Sequence, residues 1–304
     1  MVLSVVFLGT AASIPTDQRS LSSVAIRCEE DILLFDCGEG TQRQMIKAGI
    51  SFHKVSKILV THMHGDHITG LPGLLQTMSL LNRKKEIEIY GPPGISAFIG
   101  TIEQTVKSFT FPASIHEIQL EGIICREKNF RIEAVWSNHG IPSLAYGCFE
   151  SEKAGRFHPE KAETLMVPKG PLWSKLQQGT SIKLSNGRIV EPEEVVDSPR
   201  PGNRIIYTGD TRPSRIIANF AQEADLLIHE ATLHDDLIEL AQEKGHSTPI
   251  QAAEIAKEAR VKSLILTHIS ARYKSPERLL LKAREVFSNV SIAEDLMVIM
   301  ISAK

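Results

Sequence analysis

Histidine and aspartate side chains crowd one ten-residue stretch, in which Ile58–His67 reads I-L-V-T-H-M-H-G-D-H. An apolar run ends there at four potential metal ligands, His62, His64, Asp66 and His67. Side chains two positions apart in an extended chain share a face, so the first two histidines can bind one ion together. The glycine that follows lets the chain turn, which allows the last two ligands to reach a second ion. The stretch therefore predicts a metal site at the end of a buried strand.

Further apolar stretches along the chain also end in a residue that can bind a metal or carry a proton. These residues are His139, Asp210, Glu230 and His268. We assign His62, His64 and His139 to one ion and Asp66, His67 and His268 to a second, with Asp210 bridging both. Nitrogen and carboxylate ligands without thiolate suit zinc, with manganese or iron as alternatives. Two such ions acidify bound water and stabilise charge on a phosphoryl group, so hydrolysis is the expected chemistry.

The elements that must hold these residues alternate along the chain as strand and helix. The sequence L-V-T-H at 59–62 recurs as L-I-L-T-H at 264–268, which predicts two similar strand–helix halves. Because α/β folds collect ligands at the ends of their strands, we expect the site at the edge shared by the two halves. Residues 151–203 break the alternation with Gly, Pro and Lys and with a turn signal at Asn186-Gly187, so they predict an insertion.

Composition excludes several other classes of protein. The chain has 304 residues, of which 42% are hydrophobic and 23% charged, as in ordinary globular proteins with a sizeable core. Its net charge of -2 does not by itself indicate a nucleic-acid-binding protein. No apolar run approaches the roughly 20 residues of a membrane helix, and the N-terminal run lacks the basic flank of a signal peptide. We therefore expect a cytoplasmic protein without a membrane partner.

The pattern H-x-H-x-D-H, followed by later histidine, aspartate and histidine, resembles the metallo-β-lactamase superfamily. Within it, the chain is similar to the ribonuclease Z family over nearly its whole length. The stretches that carry this resemblance are F-L-G-T-A-A-S-I-P at 7–15, D-C-G-E-G-T-Q-R-Q at 36–44, S-N-H-G at 137–140, G-P-L-W-S-K-L-Q at 170–177, T-G-D-T-R at 208–212, H-E-A-T at 229–232, G-H-S-T at 245–248 and T-H-I-S-A-R-Y at 267–273. The resemblance implies an α/β fold, with one αββα sandwich domain over residues 1–304, two similar halves and an inserted flexible arm over 151–175.

The resemblance also implies an activity and roles for individual residues. It implies an endoribonuclease with two zinc ions per subunit that removes the 3′ trailer of precursor tRNA by attack of a hydroxide shared by the metals. The products would be a tRNA 3′-hydroxyl and a trailer 5′-phosphate. Asp66 would orient or deprotonate the attacking water, and His246 would protonate the departing 3′ oxygen. Glu230 would hold His246 in the productive tautomer. A homodimer is implied as well, and no DNA partner is expected.

The inserted arm carries a local excess of positive charge. Residues 153–188 contain seven Lys or Arg and two acidic residues, a balance of +5 in a chain whose net charge is -2. The resemblance implies that this arm grips tRNA through phosphate contacts, which supply affinity. The candidate RNA contacts are Lys153, Arg156, Lys161 and Lys169 in the arm, with Arg272 and Tyr273 near the cut. Taken alone, such a run of charge is more often a solvated surface.

One segment departs from the family pattern. The family often carries P-x-K-x-R-N, a segment that meets the acceptor end of tRNA, where this chain has P-T-D-Q-R-S at 15–20. Asp17 and Ser20 replace the lysine and the asparagine, which leaves open how CCA-bearing precursors are treated. Two other functions remain alternatives: a hydrolase of small phosphodiesters, sulfate esters or thioesters, and a non-catalytic RNA-binding module that keeps its metals for stability.

Overall fold

The structure is a computed structural model that describes residues 3–106 and 109–302. The described chain divides into two compact units. The second unit is Glu150–Asn203, and the first comprises the described residues on either side of it.

Both units contain strands and helices. The strands are β1 (Leu3–Gly9), β2 (Ala11–Ala12), β3 (Ser23–Cys28), β4 (Asp31–Phe35), β5 (Val55–Leu59), β6 (Ile87–Gly91), β7 (Ala113–Glu117), β8 (Gly122–Arg126), β9 (Phe130–Trp136), β10 (Leu144–Glu150), β11 (Ile182–Lys183), β12 (Ile189–Val190), β13 (Arg204–Tyr207), β14 (Leu226–Glu230), β15 (Leu264–Thr267), β16 (Ile269–Ser270), β17 (Val290–Ile292) and β18 (Val298–Ile301). The α-helices are α1 (Thr41–Lys47), α2 (Gly65–Ile68), α3 (Leu71–Leu80), α4 (Ile95–Val106), α5 (Pro159–Thr164), α6 (Pro171–Gln177), α7 (Arg215–Phe220), α8 (Ile238–Lys244), α9 (Pro249–Glu258) and α10 (Glu277–Val286). Short 3-10 helices span Phe52–Lys54, Pro192–Glu194 and Asp235–Leu237.

Two seven-stranded sheets form the first unit, within the described residues. Their strand orders are β18-β1-β3-β4-β5-β6-β7 and β17-β15-β14-β13-β10-β9-β8. In each sheet four neighbouring strands run parallel: β4 to β7 in one, and β13, β14, β15 and β17 in the other. The predicted α/β fold with two similar halves is confirmed.

Apolar side chains fill both faces of each sheet. One core cluster lies between the sheets, where the Phe35 ring packs edge-on against Tyr146 and Tyr207 at centroid distances of 6.1 and 5.9 Å. A second cluster packs one sheet against α1, α3 and α4, and a third packs the other against α7, α9 and α10. Strands buried on both faces read as continuous apolar runs, which is why Ile58 and Leu59 enter different clusters.

The second unit has a small core of its own. Ala162, Val167 and Leu176 are buried in it, and the Trp173 ring packs against Phe157 at a centroid distance of 5.1 Å. A hairpin, β11–β12, turns at the predicted Asn186-Gly187 signal, where the glycine has φ +84°. In the sequence this unit lies between β10 and β13, which pair antiparallel with Phe149 opposite Arg204.

In residues 3–106 and 109–302, each helix is too short or too polar to cross a bilayer.

Candidate metal centre and active site

Parallel strands deliver polar side chains to the same edge of each sheet. Asp36 follows β4, His62 lies three residues beyond β5, and Asp210 lies three residues beyond β13. Glu230 is the last residue of β14, and His268 follows β15 directly. The carboxyl ends of parallel strands are where α/β folds place their ligand sites. The apolar strands fix these backbone positions, and the side chains just beyond them are free to face the cleft.

The first predicted ligand group converges in the structure. His62, His64, His139 and Asp210 each offer a ligand atom, and these atoms lie within 4.8 Å of one another. His139 Nε2 is 3.2 Å from His64 Nδ1, and His62 Nε2 is 3.6 Å from Asp210 Oδ2. His62 is fully buried, which together with the neighbouring His67 holds its pKa well below the usual value. A neutral imidazole of this kind has a lone pair available for a metal ion.

The second predicted group lies beside the first. Ligand atoms of Asp66, His67 and His268 also fall within 4.8 Å of one another. His67 Nε2 is 3.3 Å from His268 Nε2 and 3.5 Å from Asp210 Oδ1. Asp210 therefore presents one carboxylate oxygen to each group, as the predicted bridge requires. A third possible grouping joins Asp210, His268 and His246.

Two buried polar atoms in the ligand groups show whether these residues fit a metal ion. Within the described residues, His62 Nε2 and Asp210 Oδ1 are buried and have no hydrogen-bond partner. A buried polar atom without a partner is costly and unusual in a folded protein. Both atoms point into the histidine and aspartate groups, whose nitrogen and oxygen donors suit zinc and similar divalent ions. The donor set fits a metal centre.

Asp36 orients the predicted ligand His67 by a hydrogen bond to the ring nitrogen that faces away from the ligand group. Its buried carboxylate accepts hydrogen bonds from the Thr61 amide at 2.7 Å and from the Tyr207 hydroxyl at 2.8 Å. It also accepts from His67 Nδ1 at 2.7 Å, which leaves Nε2 of that ring directed at the ligand group. A carboxylate behind a ligating histidine fixes the ring and its tautomer. Asp36 has φ +55°, a left-handed conformation that such functional sites often maintain.

The Gly245 carbonyl orients the His139 ring, as Asp36 orients that of His67. This carbonyl accepts a hydrogen bond from His139 Nδ1 at 2.8 Å. Gly245 has φ +84°, and a Cβ there would stand 2.7 Å from the same nitrogen. Only glycine combines this backbone conformation with this close approach. Since the next residue is His246, one glycine orients a predicted ligand and delivers the predicted proton donor.

The partly buried His246 pairs with the buried Glu230 at the edge of the cleft. His246 Nδ1 lies 2.9 Å from Glu230 Oε1. Burial opposes the positive charge, but the Glu230 carboxylate outweighs it and raises the pKa of His246 to about 9. Glu230 is fixed in turn by the Thr211 amide at 3.0 Å and by the Thr232 hydroxyl at 2.6 Å. His246 is thus held protonated near neutral pH, as a proton donor must be.

An open cleft of about 790 Å³ exposes these groups to a substrate. Its lining includes the candidate ligands His64, Asp66, His139 and Asp210, the proton donor His246, the cations Lys244 and Arg272, and the apolar Ile14, Leu233 and Leu240. Arg272 is exposed and donates only to Ser270 Oγ, at 3.1 Å, among the contacts of the described chain. The positive charges of Lys244 and Arg272 can pair with the phosphates of a phosphodiester chain.

Tyr273 is engaged within the protein. Its hydroxyl accepts a hydrogen bond from the His234 amide at 2.8 Å, and its ring packs against the third core cluster. The predicted RNA contact at this position stays a prediction.

The predicted cations of the arm differ in their surroundings. Arg156, Lys161 and Lys169 are exposed. Lys169 pairs with Glu163 at 2.7 Å and lies 5.7 Å from the centre of the Trp173 ring, yet its side chain remains 73% exposed. Lys153 is half-buried and paired with Glu150 at 2.6 Å. Their contact with RNA stays a prediction.

Sequence reasoning assigned no role to several residues that shape the site. Asp36 does follow an apolar strand, as the predicted ligands do, and that signal could have singled it out. Thr232 left no comparable signal, although its hydroxyl lies 2.8 Å from His268 Nδ1. Neither did Ser13, whose amide donates to Asp66 Oδ2 at 2.8 Å.

Comparisons with known proteins agree with this geometry. The family model described as Beta-lactamase superfamily domain matches residues 195–269, and the one described as Anti-Pycsar protein Apyc1 matches residues 3–105. Ribonuclease Z of Methanothermobacter thermautotrophicus is 44% identical over 303 residues, which cover 99% of this chain and 98% of that protein.

Two solved structures superpose on almost the entire chain. The crystal structure of human tRNase Z, short form, has a TM-score of 0.71 and 33% identity, covering 97% of this chain and 98% of that one. The metallo-β-lactamase fold protein YhfI from Bacillus subtilis has a TM-score of 0.71 at 20% identity, covering 98% of this chain and 99% of that one, and is a likeness of fold. This fold and the histidine and aspartate groups indicate binding of divalent metal ions. Because the similarity to Ribonuclease Z runs through the whole sequence, the chain belongs to the ribonuclease Z family and has the metallo-β-lactamase fold.

Proposed function

We propose that this protein is a metal-dependent endoribonuclease that removes the 3′ trailer from precursor tRNA. The observation that carries the proposal is the joint presence, on one cleft, of a complete histidine and aspartate donor set and of His246 held by Glu230. The names of its relatives, Ribonuclease Z and human tRNase Z, supply the substrate. They do not favour a small-molecule hydrolase or a non-catalytic RNA-binding module.

Two zinc ions are the cofactor that we infer for the donor set. His62, His64 and His139 would hold one ion, Asp66, His67 and His268 the other, and Asp210 would touch both. When bound, such ions lower the pKa of water and stabilise charge on a phosphoryl group. The buried, partnerless His62 Nε2 and Asp210 Oδ1 support this assignment.

Asp66 and His246 divide the proton transfers of the proposed reaction. Asp66 orients the attacking water or accepts its proton, and the water oxygen forms the new bond to phosphorus. The bond from phosphorus to the tRNA 3′ oxygen breaks, and His246 protonates that oxygen as it departs. Glu230 keeps the proton of His246 on the nitrogen that faces the cleft by accepting from the other. The phosphate stays on the trailer, so the products are a 3′-hydroxyl and a 5′-phosphate.

The second unit, Glu150–Asn203, is the inserted unit of this fold and the proposed source of affinity for tRNA. Its exposed cations, Arg156, Lys161 and Lys169, can contact phosphates without reading sequence. A homodimer is part of the proposal, and light scattering of the purified protein tests it.

Incubation with a 3′-extended precursor tRNA tests the function directly. With zinc or manganese supplied, we expect one cut next to the base that precedes CCA, leaving a 5′-phosphorylated trailer. Asp66→Ala is the matched inactive control. An intact precursor in the presence of either metal would refute the proposal. Parallel precursors with and without an encoded CCA sequence show how Asp17 and Ser20 affect selection of the substrate.

A further inference from the structure

The segment between β1 and β3 reaches the metal centre through a single backbone amide. The Ser13 N–H donates to Asp66 Oδ2 at 2.8 Å. The same oxygen lies 3.3 Å from His268 Nε2. An amide hydrogen bond of this length restrains the carboxylate oxygen that accepts it. Asp66 is the residue to which the proposed reaction assigns the attacking water.

Ser13 holds an uncommon backbone conformation while it makes this bond. Its φ is +57°, which residues other than glycine, asparagine and aspartate seldom adopt. The next amide, that of Ile14, donates back to the Ala12 carbonyl at 2.6 Å, so the turn is tight. A conformation of this kind persists only where the surroundings enforce it. The surroundings of the 10–20 loop must therefore supply that constraint.

Backbone pairing closes the loop on both sides. The amides of Thr10 and Ala11 each donate to the Ser20 carbonyl at 2.9 Å. Strand β2 pairs in parallel with β16, and β16 begins directly after His268. The loop is thereby attached to the segment that carries one of the predicted ligands.

Asp295 binds both ends of the loop, although it lies 285 residues from Thr10 and 275 residues from Ser20 in the sequence. Its Oδ1 accepts from the Thr10 hydroxyl at 2.8 Å. Its Oδ2 accepts from the Ser20 amide at 2.7 Å and from Gln44 Nε2 at 2.8 Å. One carboxylate thus joins the start of the loop, its end and helix α1.

Arg19 completes this arrangement from inside the loop. Its Nη1 donates to the Thr10 hydroxyl at 2.7 Å and to the Ala293 carbonyl at 2.6 Å. The guanidinium is half-buried and directed at the protein, whereas Asp17 and Gln18 of the same segment are exposed. Arg19 therefore ties the loop to the chain just before Asp295.

We propose that Arg19 and Asp295 are positioning residues, which lock the 10–20 loop so that the Ser13 amide orients the Asp66 carboxylate. The inference rests on the proposed role of Asp66. It gives the arginine of the P-T-D-Q-R-S segment a task inside the protein.

Substitutions at both positions test the inference. Arg19→Met removes both donated bonds, and Asp295→Asn turns an amide group toward donors. We expect kcat to fall roughly 10- to 100-fold on precursor tRNA and on bis(p-nitrophenyl) phosphate, as for other residues that orient a metal ligand. Zinc affinity, measured by titration of the apoprotein, should weaken by a similar factor, and hydrogen exchange at the Ser13 amide should accelerate. KM for precursor tRNA should stay near the wild-type value.

Arg27→Met is the matched control. Arg27 is also partly buried and donates to a backbone carbonyl, that of Ala48 at 3.3 Å, and the described chain shows no contact from it to a predicted ligand. Its loss should lower thermal stability without changing zinc affinity or kcat. An equal fall in zinc affinity in the control and in Arg19→Met would overturn the inference.

Two changes at position 13 isolate the amide and remain informative if the network variants do not fold. Replacement of the Ser13 amide by an ester, through an α-hydroxy acid, should reproduce the loss of kcat and zinc affinity. Ser13→Gly keeps the N–H and favours the positive φ, so hydrogen exchange at this amide should stay as slow as in the wild type. An ester variant with wild-type kcat and zinc affinity would refute the role of the amide.

The substrates separate this inference from two other outcomes. If Arg19→Met and Asp295→Asn raise only KM for precursor tRNA, the loop acts as an RNA contact and the inference is wrong. A wild-type protein that leaves precursor tRNA intact refutes the proposed function instead. Zinc affinity and exchange at Ser13 still decide the positioning role in that case.

Discussion

The metal centre and the inserted unit differ in how firmly their candidate functional side chains are held. At the centre, His62, His67, Asp210 and His268 are buried. Two predicted ligands are each held by a second group, His67 by Asp36 and His139 by the Gly245 carbonyl. The inserted unit has only a small apolar core and carries exposed cations such as Arg156 and Lys161. Hydrolysis needs atoms held within fractions of an ångström, whereas phosphate binding needs charge that can adapt. From this difference we propose that chemistry and affinity reside in separate parts of the chain, and each prediction below tests that division.

Removal of metal should have the largest effect. This effect should fall on the rate of hydrolysis and leave the affinity for precursor tRNA almost unchanged. Chelation should lower kcat by about 10⁴-fold or more, because several kcal/mol of transition-state stabilisation is lost. Single-turnover cleavage of precursor tRNA measures this, and filter binding measures the Kd, which should change little. Added zinc should restore activity. A Kd that weakens as much as kcat would show that the centre also supplies most of the affinity.

Loss of the proton donor should come next. His246→Asn should lower kcat roughly 10³-fold at neutral pH, since general acid catalysis of the departing oxygen is lost. Steady-state kinetics on precursor tRNA should show little change in KM. A variant that loses KM rather than kcat would place His246 among the binding groups.

The pH profile of Glu230→Gln is the companion test. In the wild type the Glu230 carboxylate raises the pKa of His246 to about 9, so the acid form is present at neutral pH and disappears as pH rises through that value. Without the carboxylate, the alkaline limb of kcat should move to lower pH. An unchanged limb would mean that another group sets it.

Charge reversal in the inserted unit should have a smaller effect, and on affinity alone. Arg156→Glu, Lys161→Glu and Lys169→Glu together should raise KM for precursor tRNA by about 10- to 100-fold at physiological salt. The salt dependence of binding should fall by about 0.7 to 0.9 in log–log slope for each lost phosphate contact. Hydrolysis of bis(p-nitrophenyl) phosphate is the control and should be unchanged. A matching loss on that small ester would break the division between the two regions.

Lys153→Ala should have the smallest effect of the set. Lys153 is half-buried and already paired with Glu150 at 2.6 Å, so little of its charge is available to RNA. We expect KM to change by less than about threefold, in line with the small net worth of most surface charges. An effect as large as that of the exposed cations would show that the Glu150 pair opens when RNA binds.

The sequence can predict candidate ligands because apolar strands precede the segments that carry them. His62 and His268 follow equivalent strands in the two halves, and each lies in a ligand group that includes Asp210. Asp36 also follows a strand, but its task depends on Tyr207, which lies 171 residues away. A partner so distant leaves no mark in local spacing.

Short or half-exposed elements were the ones that local pattern did not predict. Strand β8 (Gly122–Arg126) has three consecutive apolar residues but is only partly buried, and β17 is three residues long with a serine between its apolar residues. Helices α7 and α8 are short, at six and seven residues, and their periodicity is weak. The core of the inserted unit is assembled from single apolar residues of α5, α6, β11, β12 and the segments between them, which no one window of sequence displays.

The inserted unit connects β10 to β13. These two strands pair antiparallel as neighbours, with Phe149 opposite Arg204. Topologically the inserted unit is the loop of a hairpin, however large it has become. Closing a longer loop costs little, about 0.6 kcal/mol for each doubling of its length. Related enzymes are therefore free to lengthen, shorten or exchange this loop over evolutionary time. Substrate range can change in that way while every residue that carries out hydrolysis stays the same.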